Sequence, residues 1–203
     1  MNNLAYANQD KDKVAPKVEE LLRKELSAGG PISYQVEDAG AGETGSGSML
    51  KDAGTYLFGG NTTRLMTIHF QLTQPRNGEL EVHINRQGAG CYAGSLVFSA
   101  VVNKRIAGEV SFGDDGKFSG DAQSAGKLNG SKDLLKKCDA FAMKKGGITG
   151  FEVSIPRFFK IAPNDYGAQV VGATLPRSKS MGFSATFNSK EFWEIVSLIE
   201  GVL

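Results

Sequence analysis

The chain reads as an α+β protein: two repeats of an antiparallel four-stranded sheet plus one helix, with an extra helix at the N-terminus. Three observations predict this. From about Gly54 onward, short runs alternate apolar and polar residues with the period of a strand. Two of these series end in a helical pattern, the first from about Ser131 to Lys145 and the second from about Ser189 to the C-terminus. Glycine is abundant, with 26 among 203 residues, about twice the usual share, which suits many tight turns. The organisation that follows is a tail and amphipathic helix over 1–37, a Gly/Ser linker over 38–50, and a β-rich domain over 51–203, its repeats spanning 51–147 and 148–203.

The N-terminal helix is predicted over Lys11 to Ser27. Val14, Val18, Leu21, Leu22 and Leu26 share one apolar stripe, Pro16 suits the first turn, and Gly29-Gly30-Pro31 stops it. Ile32 to Val36 reads as a short strand. The run from Asp38 to Ser48 is a linker by composition. It is not a phosphate-binding loop, because no Gly-Lys-Ser/Thr follows the glycines.

Gly54 to Gly59 reads as a short strand. Arg64 to Leu72 places Met66, Ile68, Phe70 and Leu72 on one face, and Leu65, Thr67, His69 and Gln71 on the other. Glu79 to Arg86 repeats this, with Leu80, Val82 and Ile84 inward and Glu81, His83 and Asn85 outward. A two-residue Asn77-Gly78 turn would mix these faces, so a bulged hairpin or one with a three-to-five-residue loop is expected. Gly94 to Val102 and Arg105 to Phe112 read as strands. Asp115-Gly116 marks a hairpin, and Lys117 to Ala122 is its return strand. Ser131 caps the first repeat's helix, which buries Leu134, Leu135, Cys138, Phe141 and Ala142.

In the second repeat, Phe151 to Ile155, Arg157 to Ala162 and Tyr166 to Leu175 read as strands, and Pro176 to Ser180 as a basic exposed loop. Phe183, Ala185 and Phe187 line a last strand. Asn188 and Glu191 form a capping-box variant, and Phe187 staples to Phe192. Ile195, Val196 and Ile199 extend the apolar face of the final helix.

The 23 basic and 22 acidic residues leave a net charge of +1, so the total charge shows no strong field for nucleic acid or a membrane surface. Cys91 and Cys138 are the only cysteines and read as two reduced thiols rather than a disulfide scaffold. No apolar run approaches the length of a membrane span, and the N-terminus lacks the apolar region of a secretion signal. The expectation is a cytoplasmic or organelle-matrix protein that is not secreted.

No catalytic signature is present, so the protein is read as not an enzyme, with no cofactor and no metal. Asp114-Asp115 beside Gly116 is turn chemistry. His69 and His83 lie on the same face of adjacent strands, and solvated or stacking roles outweigh a shared metal. Basic and aromatic residues recur on strands and loops, the densest being Arg157-Phe158-Phe159-Lys160. If Phe159 and Ile161 point inward, Phe158 and Lys160 point out together. Cations beside exposed rings are what a single-stranded nucleic acid needs. The same residues also read as core phenylalanines flanked by solvated cations.

The layout of two strand series, each closed by a helix, resembles the Whirly-type fold, which takes in plant Whirly proteins, trypanosome guide-RNA-binding proteins and PUR-repeat proteins. The passage Gly182-Phe-Ser-Ala-Thr-Phe-Asn-Ser-Lys-Glu-Phe-Trp-Glu-Ile-Val-Ser-Leu-Ile199 is similar to their final strand-to-helix segment. The resemblance spans roughly Gly54 to Leu203. The plant Lys-Gly-Lys-Ala-type motif has no counterpart; Lys144-Lys-Gly-Gly147 stands at a helix end instead. The resemblance implies binding of single-stranded DNA or RNA on the sheet face away from the helices, and homo- or hetero-oligomers packed through the helices. The residues expected to serve are Lys104, Arg105, Arg157, Lys160, Arg177 and Lys179 for phosphates, and Phe158, His69 and His83 for bases. The alternatives are an assembly module working through its amphipathic helices and, third, a small-ligand carrier whose sheets close on a cavity.

Overall fold

A computed structural model of the chain describes residues 6–7, 14–26, 32–38, 63–87, 90–141, 146–148, 151–153, 158–174, 177–179, 184–186 and 189–203. In chain order these form β1 (Tyr6–Ala7), α1 (Val14–Leu26), β2 (Ile32–Asp38), β3 (Thr63–Leu72), β4 (Gly78–Gln87), β5 (Gly90–Val102), β6 (Val110–Phe112), β7 (Phe118–Gly120), α2 (Ala122–Gly130), α3 (Lys132–Phe141), β8 (Gly146–Ile148), β9 (Phe151–Val153), β10 (Phe158–Asn164), β11 (Gly167–Thr174), β12 (Arg177–Lys179), β13 (Ser184–Thr186) and α4 (Ser189–Val202). The α+β class stands. The chain divides into two compact units, Met1–Leu96 with Leu175–Asn188, and Val97–Thr174 with Ser189–Leu203. The division falls inside β5 and not between 147 and 148.

In the first unit the strand order is β2-β3-β4-β5, with β1 also on β5. The β3–β4 hairpin pairs Phe70 with Leu80, Ile68 with Val82 and Met66 with Ile84, with a register shift between Arg64 and Met66. Residues 73–77 form its loop, and the Gln74–Pro75 peptide is cis. Of the two expected alternatives the longer loop, with five residues, joins the strands, and the register shift lies at the far end of the pair. The loop keeps like faces together: Met66, Ile68, Phe70, Leu72, Leu80, Val82 and Ile84 are all buried, each stabilising by roughly 1.5–3 kcal/mol. A one-residue slip would turn the whole set to the other side. On α1, which lies beside β2, Val14, Ala15, Val18 and Leu22 are buried. Its outer face carries the exposed Lys17–Glu20 pair and Arg23–Glu19.

The basic stretch expected to be a loop forms β12 instead, paired with β13 as a two-stranded ribbon with Arg177 opposite Thr186. The expected strand over 54–59 lies outside the described residues, as do the Asn188 cap and the Phe187 staple.

In the second unit the order is β5-β11-β10-β6-β7. Phe98, Phe141, Phe159 and Phe192 build its core. Phe98 stacks on Phe192 at 5.0 Å between ring centroids, and Phe141 meets Phe159 at 5.1 Å. Gly172 makes room for them, since a Cβ there would lie 2.7 Å from Phe159 Cε1 and 3.0 Å from Phe192 Cε2. At the end of β11, the Thr174 hydroxyl donates to the Phe141 carbonyl at 3.0 Å.

The helices differ from the expected repeat. The rings of α3 (Phe141) and α4 (Phe192) sit 6.1 Å apart in one core, and Lys137 of α3 pairs with Glu194 of α4 at 2.8 Å. They do not back two separate groups of strands. Between the strands and α3 lies a helix the periodicity does not predict, α2, and the return strand expected to reach Ala122 ends at Gly120. Asp121 caps it, accepting from the Ser124 N–H at 3.0 Å. Ser131 ends α2 and also opens α3, its hydroxyl facing the Leu134 N–H at 3.4 Å. Arg105 to Ala107 is likewise not strand; β6 begins only at Val110.

Candidate nucleic-acid interface

One side of the second unit's strands is sealed. Phe98, Ala100, Val102, Phe159, Ile161, Ala168, Val170, Val110 and Phe112 are buried, and ring contacts place Phe98 and Phe159 under α3 and α4. Period-2 alternation puts Ser99, Val101, Ser111, Lys160, Ala162, Gln169 and Val171 on the other side. These are half-buried or exposed, with Val101 at 42%. The face is small and nearly uncharged. Gln169 donates to the Ser99 hydroxyl at 2.9 Å, and Lys160 pairs with Glu109 at 2.6 Å.

At one end of this face lie the exposed Tyr166 and Arg105 and the half-buried Lys104. The β10–β11 hairpin turns through Asp165-Tyr166, with the Tyr166 N–H donating to Asn164 Oδ1 at 3.0 Å. Gly167 has a φ of 145°, open to glycine but not to a bulky residue. A Cβ there would strike the Val102 carbonyl and come within 3.2 Å of the Lys104 N atom. The hairpin tip therefore lies against the turn that carries Lys104 and Arg105. Tyr166 is 83% exposed. Among the described residues neither Lys104 nor Arg105 has a carboxylate partner. Tyr166 is the ring that sequence reading missed. Its only signal was an aromatic in the middle of a Pro-Asn-Asp-Tyr-Gly turn, where no buried face accounts for it.

The expected site residues are distributed as follows. Lys104, Arg105 and Lys160 belong to the second unit, and Lys160 is neutralised by Glu109. Phe158 occupies β10 opposite Ala173. Arg177 and Lys179 lie on β12 of the other unit. Arg157 lies outside the described residues. His83 was expected on an open face and is 5% exposed, so it does not offer a stacking surface.

His69 keeps partial exposure but is engaged. Its Nε2 lies 3.3 Å from Glu37 and its Nδ1 3.5 Å from Glu81, while the other Glu81 oxygen lies 3.5 Å from His83 Nε2. Gln71 donates to Glu79 at 2.9 Å on the same face. This alternation of carboxylates and imidazoles is unsuited to phosphate. Among the described residues, no group of three His, Cys, Asp or Glu side chains is arranged to hold a metal ion.

The helices present polar outer faces. Lys190, Glu194 and Ser197 of α4 and Lys132, Asp133 and Lys136 of α3 are exposed, while their apolar residues serve the unit's own core. Cys138 is a free, buried thiol; burial first, and Asp139 second, push its pKa far up. A thiol held protonated in this way is inert. Among the described residues, no helix is long and apolar enough to cross a membrane. Comparison with protein-family models, with curated proteins and with solved structures finds no match to the chain.

Proposed function

We propose that the protein is a non-enzymatic binder of single-stranded nucleic acid, with its contact surface at the open strand face of the second unit and the adjoining hairpin tip. The observation that carries this is the exposed Tyr166 at a hairpin tip whose Gly167 lies against the Lys104 backbone, in a turn bearing Lys104 and Arg105, two cations without a carboxylate partner among the described residues. An aromatic face takes any base by stacking, and neighbouring cations hold the phosphates on either side. The nearly uncharged strand face beside them gives the remaining bases a surface with little repulsion. This differs from the expected set in three ways. Tyr166 replaces His83 as a stacking group, Lys160 contributes only once Glu109 releases it, and the reading stands on this one end of a sheet without needing the twofold repeat of the Whirly-type proteins.

The test is fluorescence anisotropy of a labelled mixed-sequence single strand at low salt. Tyr166→Ala is expected to weaken binding by about 1–3 kcal/mol. Lys104→Ala and Arg105→Ala are expected each to lower the salt slope by about one unit. Binding that is absent at low salt, or that all three variants retain unchanged, ends the proposal.

A further inference from the structure

We infer that the outer edge of β2 is a docking edge for a second copy of this chain, joined β2 to β2 in antiparallel register about Gln35. Among the described residues, β2 pairs only with β3, over Ile32–Leu72 to Asp38–Met66 without a register shift. A seven-residue strand at the end of a sheet presents a row of N–H and C=O groups ready for another strand. Most of the devices that normally blunt such an edge are lacking here, and its charges are confined to Glu37 and Asp38 at one end. The segment Ile-Ser-Tyr-Gln-Val-Glu-Asp has no lysine, no proline and no bulge. It is also exposed, with Ser33, Gln35, Val36 and Glu37 all open and Val36 at 44%.

The strand is complementary to itself. Antiparallel pairing about Gln35 places Ile32 opposite Asp38, Ser33 opposite Glu37, and Tyr34 opposite Val36, twice over. Every residue of the strand is then paired. No carboxylate faces a carboxylate, which would be destabilising. The exposed Val36 of one copy packs beside the half-buried Tyr34 of the other, on the side that already holds the Tyr34–Phe70 contact at 5.6 Å. The two Gln35 amides meet, each able to donate and accept. Glu37 is drawn back toward His69 at 3.3 Å and leaves Ser33 room. Shifting the register by two residues in either direction still keeps each face on its own side but loses pairs at the ends. Shifting by one reverses the faces. An isologous pair of this kind is a closed dimer and not a growing fibre. A single strand pair buries little surface, so the dimer is weak and concentration-dependent. This surface is distinct from the helices, whose apolar residues are already used.

The experiment is sedimentation of the full chain from about 10 µM to about 1 mM, the range in which a small interface associates. A monomer–dimer equilibrium is expected, and Val36→Lys is expected to weaken it at least about tenfold with an unchanged circular dichroism spectrum. Register is read by cysteine crosslinking in a Cys91→Ser background. Gln35→Cys is expected to form a disulfide with its own copy, because directly opposed strand residues lie about 4.5–5.5 Å apart between Cα atoms. Ser33→Cys alone is expected to give none, yet to crosslink when mixed with Glu37→Cys. A strict monomer with no Gln35→Cys crosslink overturns the inference, and so does a dimer that Val36→Lys leaves intact and Gln35→Cys fails to trap. If Val36→Lys does not fold, the crosslinking pattern decides alone.

Discussion

The second unit ends at β7, three residues long, and there the Asn129 side chain donates to the Phe118 carbonyl and accepts from the Phe118 N–H, both at 2.8 Å. The first unit ends at β2, which is longer, more regular and, among the described residues, without any such clasp. The closure of β7 follows from what comes next in the chain. β7 runs straight into α2 through the Asp121 cap, so the last turn of that helix falls back on the strand and delivers an amide to its edge. Gly120, at a φ of 123°, makes the sharp turn possible, because a Cβ there would strike the Glu109 carbonyl. An amide is suited to this role because it mimics a passing strand, one donor and one acceptor side by side. One edge is thus closed by its own neighbour, and the other offers its backbone groups to a partner.

Deleting a ring at each edge is the strongest way to test the contrast. Phe118 is buried and packs on Phe112 at 5.0 Å. Phe118→Ala is therefore expected to cost about 3–5 kcal/mol in urea unfolding. Tyr34, half-exposed at the open edge, is expected to cost only about 1 kcal/mol when changed to Ala. Equal losses would mean that the two edges are anchored alike.

The second test opens the closed edge. Asn129→Ala leaves the Phe118 N–H and carbonyl without their partners, at an expected cost of about 1–3 kcal/mol. It is also expected to add self-association at this second edge, seen as a rise in light scattering above that of wild type at the same concentration. A variant as stable and as dispersed as wild type would show that the clasp is ornamental.

The smallest effect concerns the helix that brings the clasp. Hydrogen bonds from the Ser124 side chain and then its N–H hold the Asp121 carboxyl below the ordinary carboxylate range. A carboxyl lowered on folding stabilises fully above its unfolded value, and that contribution is lost as pH falls through the folded one. Asp121→Ala is thus expected to lower the melting temperature at neutral pH, and the gap to wild type is expected to narrow below about pH 4. A gap that stays constant into acid would remove the charge from the explanation and leave only the geometry of the cap.

Much of this was legible in the residues. The β3–β4 hairpin could be read to its pairing of faces and its range of loop lengths because the same-face requirement leaves few registers once both strands alternate. The apolar stripes of α1 and α4 were visible for the same reason. α2 was not, because Gly126 and Gly130 lower its intrinsic helix propensity. It stands on the Asp121 cap and the burial of Ala125 and Leu128. At the candidate interface, spacing placed Lys160 outward on β10, but not its pairing with Glu109 across the neighbouring strand. It placed His83 on the polar side of β4, while its burial depends on packing from elsewhere. Tyr166 reads as the first residue of a strand, and only its exposure, on a hairpin tip that lies against the turn of Lys104 and Arg105, marks it out.

Local alternation specifies most elements here, because strand and helix periods follow from backbone geometry and from which side chains must leave water. The α+β class comes with them. Partnership between distant segments is another matter. That Phe141 and Phe192 meet in one core, rather than each sealing its own sheet, depends on contacts between residues far apart in the chain. Periodicity gives each helix an apolar face but says nothing about whose strands that face will cover.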